Sequence, residues 1–254
     1  MNIIFMGTPE FAVHPLKTLI ENKYSVSAVI TAPDKPAGRG KKLRASAVKE
    51  FAIEHGIKVL QPTNLKSEAF VDELKSLQPD LQIVVAFRML PEVVWKLPPL
   101  GTFNLHASLL PDYRGAAPIN HAVINGDSET GLTTFFIDEK IDTGRIIKQK
   151  KLSIEPDETA GELHDRMMVS GSDLVLETVR MIENNSVQPV PQEELLNDKV
   201  LRPAPKIFKE DCRINWSKRV ERVHNLIRGL SPYPGAFSFM SDESGREVQV
   251  KIFQ

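Results

Sequence analysis

Along the first hundred residues, short apolar runs alternate with longer segments of mixed polarity. The runs at 2–6, 24–31, 57–60, 81–87 and 102–106 have the length of buried strands, and the stretches between them carry helix signals. Pro9 and Glu10 open one helix. Ser46 offers an N-cap to a second, which should stop at Gly56. This alternation predicts βαβ units and a parallel sheet covered on both faces. Further on, 133–137 reads as another buried strand and 138–144 as the turn-rich loop leaving it. Thr159 and Glu162 stand at capping-box spacing, with Leu163, Met167, Leu174 and Met181 recurring on one side, so a long helix is expected over 159–184.

Composition narrows the class without naming a function. With 254 residues, 41% of them apolar, the chain can bury one large core and a small second one. The formal net charge of −1 carries no global nucleic-acid signature, so any polyanion must be met by local patches. A single cysteine, Cys212, rules out an intramolecular disulfide framework and any cysteine-rich zinc site, and it fits a reducing cytoplasm. No apolar run approaches the roughly 20 residues of a membrane span, so no membrane association is expected. Gly7-Thr8-Pro9-Glu10 after the first strand lacks the three-glycine turn that accepts a pyrophosphate, which disfavours a nicotinamide cofactor; Gly7 itself reads as a tight turn.

The most informative stretch is Asn104-Leu105-His106, followed by Ser108-Leu109-Leu110-Pro111 and Arg114-Gly115-Ala116-Ala117-Pro118. In a strand, the period of two puts the Asn104 amide and the His106 imidazole on one face with Leu105 turned the other way. A neutral donor beside a titratable one suits an oxygen that turns negative as a carbonyl is attacked. Asp142, in the loop after 133–137, is expected near both, because loops at the carboxyl ends of parallel strands share one rim. A carboxylate there would orient the imidazole and favour its protonated form. Acyl transfer is the chemistry this set predicts.

These residues, together with the opening Met1-Asn2-Ile3-Ile4-Phe5-Met6-Gly7-Thr8-Pro9-Glu10 and the segment 31–43, resemble the folate-dependent formyltransferases over essentially the whole chain. The resemblance extends to the branch whose acceptor is the amino group of initiator methionyl-tRNA. It implies a Rossmann-like parallel-sheet catalytic domain, 10-formyltetrahydrofolate as formyl donor, no metal and no obligate protein partner. It also makes Asn104, His106 and Asp142 the catalytic residues and Ser108, Leu109, Leu110 and Pro111 the folate loop. Rivals within the family differ in the acceptor: an amino sugar nucleotide, glycinamide ribonucleotide, or water.

Two basic segments favour the tRNA branch. Residues 32–44 carry Lys35, Arg39, Lys41, Lys42 and Arg44 against Asp34, in a glycine- and proline-rich stretch expected to be mobile and to order on a phosphate backbone. By resemblance, Arg39 is the residue of this stretch that matters most for the acceptor, and the charge of the segment adds Lys41 and Lys42 as tRNA contacts. Residues 206–228 carry Lys206, Lys209, Arg213, Lys218, Arg219, Arg222 and Arg228 against three acids. The expected division is a catalytic domain at 1–186, an extended proline-rich linker at 187–205 and a tRNA-binding domain at 206–254. The resemblance makes that last domain a small β-barrel of the oligonucleotide-binding type. Only 48 residues follow Lys206 and part of them looks helical, so a truncated barrel is expected, its start without its closing strands.

Overall fold

The computed structural model describes residues 1–37, 42–196, 200–241 and 245–254. In chain order the elements are β1 (Asn2–Gly7), α1 (Glu10–Glu21), β2 (Ser25–Ile30), β3 (Lys35–Ala37), β4 (Lys42–Arg44), α2 (Ala47–Glu54), β5 (Lys58–Leu60), α3 (Glu68–Ser76) and β6 (Leu81–Val85). They continue with α4 (Glu92–Trp95), β7 (Thr102–His106), α5 (Pro118–Asn125), β8 (Glu129–Phe136), β9 (Ile146–Ser153), α6 (Ala160–Glu183), α7 (Val220–Leu230), β10 (Ala236–Ser241) and β11 (Glu247–Ile252).

Seven strands form one sheet in the order β5-β2-β1-β6-β7-β8-β9. From β5 to β7 every pairing is parallel, as the alternation of apolar runs and helices requires. The parallel expectation stops there: β8 runs antiparallel to β7, with His106 opposite Thr133 and Phe103 opposite Phe136. Beyond it lies β9, an edge strand that the apolar pattern does not mark. Its sequence carries Lys148, Lys150 and Lys151, the charges by which an edge strand discourages pairing with other chains.

The chain divides into two compact units, each drawn from separate stretches. The first (Met1–His106, Thr133–Gln149, Met168–Leu195) contains a core of Ile4, Met6, Ala28, Ile30, Phe70, Leu74, Val84 and Val94. Gly7 belongs to this unit, and a side chain there would lie 2.5 Å from the Ala12 Cβ, so close packing of α1 on β1, rather than a turn, requires the glycine. The Ser46 cap forms, its hydroxyl accepting from the Lys49 amide at 3.1 Å. Asp34 anchors the base of the β3–β4 pair, accepting from Lys49 Nζ at 2.6 Å and from Gln61 at 2.8 Å, and these bonds hold its carboxyl below the usual range.

The second unit comprises Ala107–Leu132, Lys150–Met167 and Leu196–Gln254. Here α5 packs on α7, and Gly229 comes so close to Ile124 that a side chain would meet its backbone nitrogen at 2.9 Å. Cys212, Ile214, Leu230, Ala236 and Phe237 make a small core beneath the antiparallel pair β10–β11. That pair is the one sheet of the C-terminal region among the described residues. The capping box also forms: Thr159 N donates to Glu162 at 2.8 Å and Glu162 N to Thr159 Oγ1 at 3.2 Å.

Candidate active site

Strand β7 fixes two of the three residues singled out above. Phe103 and Leu105 are buried on one face, so Asn104 and His106 share the other, Asn104 half-buried and His106 only 6% exposed. Opposite them on β8 stand Phe135 and Thr133. Asp142 joins this face, its Oδ2 lying 3.9 Å from His106 Nδ1. At that separation the two can act as an ion pair but not through a direct hydrogen bond between these atoms. The side chains are 7% and 13% exposed, so a charge–charge attraction, present when His106 is protonated, is screened less by water than at a surface.

Asp142 arrives by a different path from the expected one. Because β8 is antiparallel, its carboxyl end lies beside Phe103, at the amino end of β7, and not on the rim where parallel strands finish. The 137–145 loop instead folds back along the sheet. Gly144 makes this possible: a Cβ there would sit 1.6 Å from the Phe136 carbonyl oxygen. Asp142 takes a left-handed backbone, φ +55°, which few non-glycine residues adopt. Within the same loop, Asp138 accepts from the Lys140 amide and the Thr143 hydroxyl, which marks it as a turn residue distinct from Asp142.

A residue of the expected linker holds this loop. Gln192 is fully buried, and its Nε2 donates to the carbonyl oxygens of Asp142 (2.9 Å) and Gly144 (2.8 Å). Just before it, Val190 and Ile146 exchange two backbone hydrogen bonds at 2.8 and 2.9 Å. Residues 190–195 are therefore docked, and the proline-rich composition of 187–205 gave no sign of it because composition reports an extended backbone and not what lies beside it.

Ser108 to Pro111 belongs to the second unit. Ser108 is fully buried and donates to the Asp112 carbonyl at 2.6 Å, Leu110 is 2% exposed and Pro111 is buried, with Leu109 half-buried. With these side chains turned inward, the groups this loop can offer a ligand are mainly backbone. It is braced by the rest of the expected linker: Arg202 bonds Asp112 at 3.0 Å and Asp127 at 2.7 Å and stacks 4.5 Å above the Tyr113 ring, while Ala204 N donates to the Arg114 carbonyl at 2.8 Å.

The basic segments fare unevenly. Arg39 and Lys41 lie outside the described residues; Lys42 opens β4, which pairs antiparallel with β3, so the described ends of this stretch form a short hairpin. Three-residue strands are too short to show a period in the sequence. In the C-terminal segment, Lys206, Lys209, Arg213, Lys218, Arg219 and Arg222 are exposed. Arg213 lies 5.1 Å over Phe239 and Lys206 5.4 Å over Phe208. Arg228 leaves the set. It is 3% exposed and donates to the carbonyls of Glu158 (2.9 Å) and Glu155 (3.3 Å) and to Asn225, and burial pushes its guanidinium pKa down. Arg228→Met should strand those acceptors and lower stability by about 1–3 kcal/mol, read as an earlier urea midpoint, while tRNA affinity of the folded protein stays unchanged. A loss of tRNA affinity without a stability loss would return Arg228 to the binding surface.

Among the described residues no cluster of three His, Cys, Asp or Glu side chains could hold a metal ion, and no helix is long and apolar enough to cross a membrane. A family model described as "Formyl transferase" matches residues 1–179, and one described as "Formyl transferase, C-terminal domain" matches 206–254. The chain is 58% identical over its full length to a methionyl-tRNA formyltransferase of Flavobacterium johnsoniae and 57% identical to that of Bacteroides thetaiotaomicron, spanning 79% of each. A solved sugar 3N-formyl transferase, determined in the presence of dTDP and 5-N-formyl-THF, is similar with TM-score 0.67 and 24% identity, covering 90% of this chain and 78% of that one; it supports the fold alone.

Proposed function

Because the chain belongs to the formyl transferase family, we infer that it moves the formyl group of 10-formyltetrahydrofolate to the α-amino group of initiator methionyl-tRNA, the modification that prepares the initiator for translation. The observation that carries the mechanism is the buried pairing of His106 with Asp142 on the face that also bears Asn104. The methionyl amine attacks the formyl carbon, forming a new C–N bond, and the carbonyl π electrons move onto oxygen. Asn104 and a protonated His106 hold that oxyanion. Asp142 keeps the imidazole in place and accepts the proton lost by the attacking nitrogen, through water if the reach requires it. Collapse of the intermediate breaks the bond from carbon to N10; the electron pair returns to N10, which takes up a proton, leaving tetrahydrofolate and formyl-methionyl-tRNA.

Holding both substrates in attack geometry removes the entropic cost of their meeting, so positioning supplies much of the rate. The backbone of Ser108 to Pro111 presents the folate. Catalysis is assigned to residues 1–186 and tRNA contact to 206–254, with 187–205 joining them in sequence, although the two compact units cut across these bounds. The cytoplasm, where charged tRNA is used, is the site of action. Purified protein supplied with labelled 10-formyltetrahydrofolate should formylate initiator methionyl-tRNA and leave free methionine and an amino sugar nucleotide unmodified. Preferred formylation of the sugar would overturn this assignment.

The basic segment 32–44 supplies charge for the tRNA. Alanine at Arg39, Lys41 and Lys42 should raise KM for charged tRNA and flatten its salt dependence, with a log–log slope change of up to about 0.9 per lost phosphate contact on duplex. Folate affinity should hold. Titrating both substrates at several salt concentrations checks this, and a folate defect of similar size would make the segment a lid over the small substrate.

A further inference from the structure

We propose that Gln192 is a positioning residue for the reaction: by donating to the carbonyls of Asp142 and Gly144 it sets the backbone from which the Asp142 carboxylate faces His106. The inference rests on the assignment of Asp142 to the reacting centre.

Three observations converge on it. The Gln192 side chain is fully buried and bonds two carbonyls that are two residues apart, which only a two-donor amide at this spot can do at once. Asp142 stands at φ +55°, a backbone that aspartate and asparagine adopt more readily than other side-chain-bearing residues but at a cost, and one of the two bonds is made to its own carbonyl. Gly144, the second acceptor, is the residue that admits the loop against Phe136. The Val190–Ile146 backbone pair fixes where Gln192 emerges, so the amide is delivered from a rigid edge. A turn of that backbone would swing the carboxylate off the 3.9 Å line to His106 while leaving the fold and the substrate surfaces in place. Gln192 touches no reacting atom. Its effect passes through Asp142.

Gln192→Met tests this, since methionine has nearly the same length and no donor. The single-turnover rate constant should fall roughly 10-fold or more, as small displacements of catalytic groups do. KM for folate and for tRNA should stay within about two-fold. In an Asp142→Asn background the same change should cost little, because the carboxylate it positions is gone. A parental rate constant in Gln192→Met, or an undiminished penalty in the Asp142→Asn background, overturns the proposal. Should Gln192→Met fail to fold, Gln192→Leu takes its place with the same two criteria, since it removes both donors without burying a charge against the two carbonyls. Failure of the underlying assignment is distinguishable: it appears as an Asp142→Asn protein that turns over at the parental rate.

Discussion

Asn104→Ala should lower the single-turnover rate of formyl transfer by roughly 10²–10³, the loss expected on removing one oxyanion donor, or about 2.7–4 kcal/mol of transition-state stabilisation. The amide sits on β7 with its strand neighbours Phe103 and Leu105 buried on the opposite face, so shortening it to alanine leaves the strand packing alone. Folate affinity and thermal stability should therefore remain near those of the parent. The effect falls on the chemical step because charge appears on the formyl oxygen only there, and a donor matched to that charge contributes little in the ground state. Quench-flow with both substrates saturating reads the rate, and a variant within a few-fold of the parent would remove Asn104 from the centre.

Asp142→Asn should lower the same rate by roughly 10²–10⁴, the range expected when a general acid–base group is disabled. Asparagine keeps the size and the left-handed backbone, a conformation it tolerates well, so the loop held by Gln192 and Gly144 should keep its shape. What disappears is a negative charge 3.9 Å from His106 Nδ1 on a side chain only 13% exposed, along with the capacity to take a proton. KM for charged tRNA should hardly change, since the proposed tRNA contacts are basic residues outside this loop. Equal losses in rate and in tRNA affinity would mean that Asp142 supports binding rather than the reaction.

Features decided by a few neighbouring residues were legible in the sequence. The Thr159–Glu162 box and the Ser46 cap need only a three-residue spacing, and both form. Asn104 and His106 share a face because a strand has a period of two. The nearness of Asp142 was legible only through the family resemblance, since the rim argument fails once β8 proves antiparallel to β7. Strand direction after a turn is a tertiary fact that no local pattern encodes. The lysines of β9 hid a sheet edge behind a polar sequence. Arg228 looked like part of a basic surface, yet it satisfies carbonyls of residues about 70 positions away. Gln192 is a case of the same kind: its two acceptors lie 50 and 48 positions earlier, and the proline-rich composition around it suggests an unattached strand of chain.

The central claim is that one buried centre passes a formyl group directly from folate to the methionyl amine. Following a labelled formyl group through a single turnover on the quench-flow time scale tests it, with the parent, Asn104→Ala and Asp142→Asn compared at saturating folate and initiator methionyl-tRNA. The account predicts that label enters formyl-methionyl-tRNA without passing through a protein-bound ester or amide, that little appears as formate, and that both variants slow this step while binding both substrates as the parent does. Label trapped on the protein, or released mainly as formate at the parental rate in both variants, would contradict it.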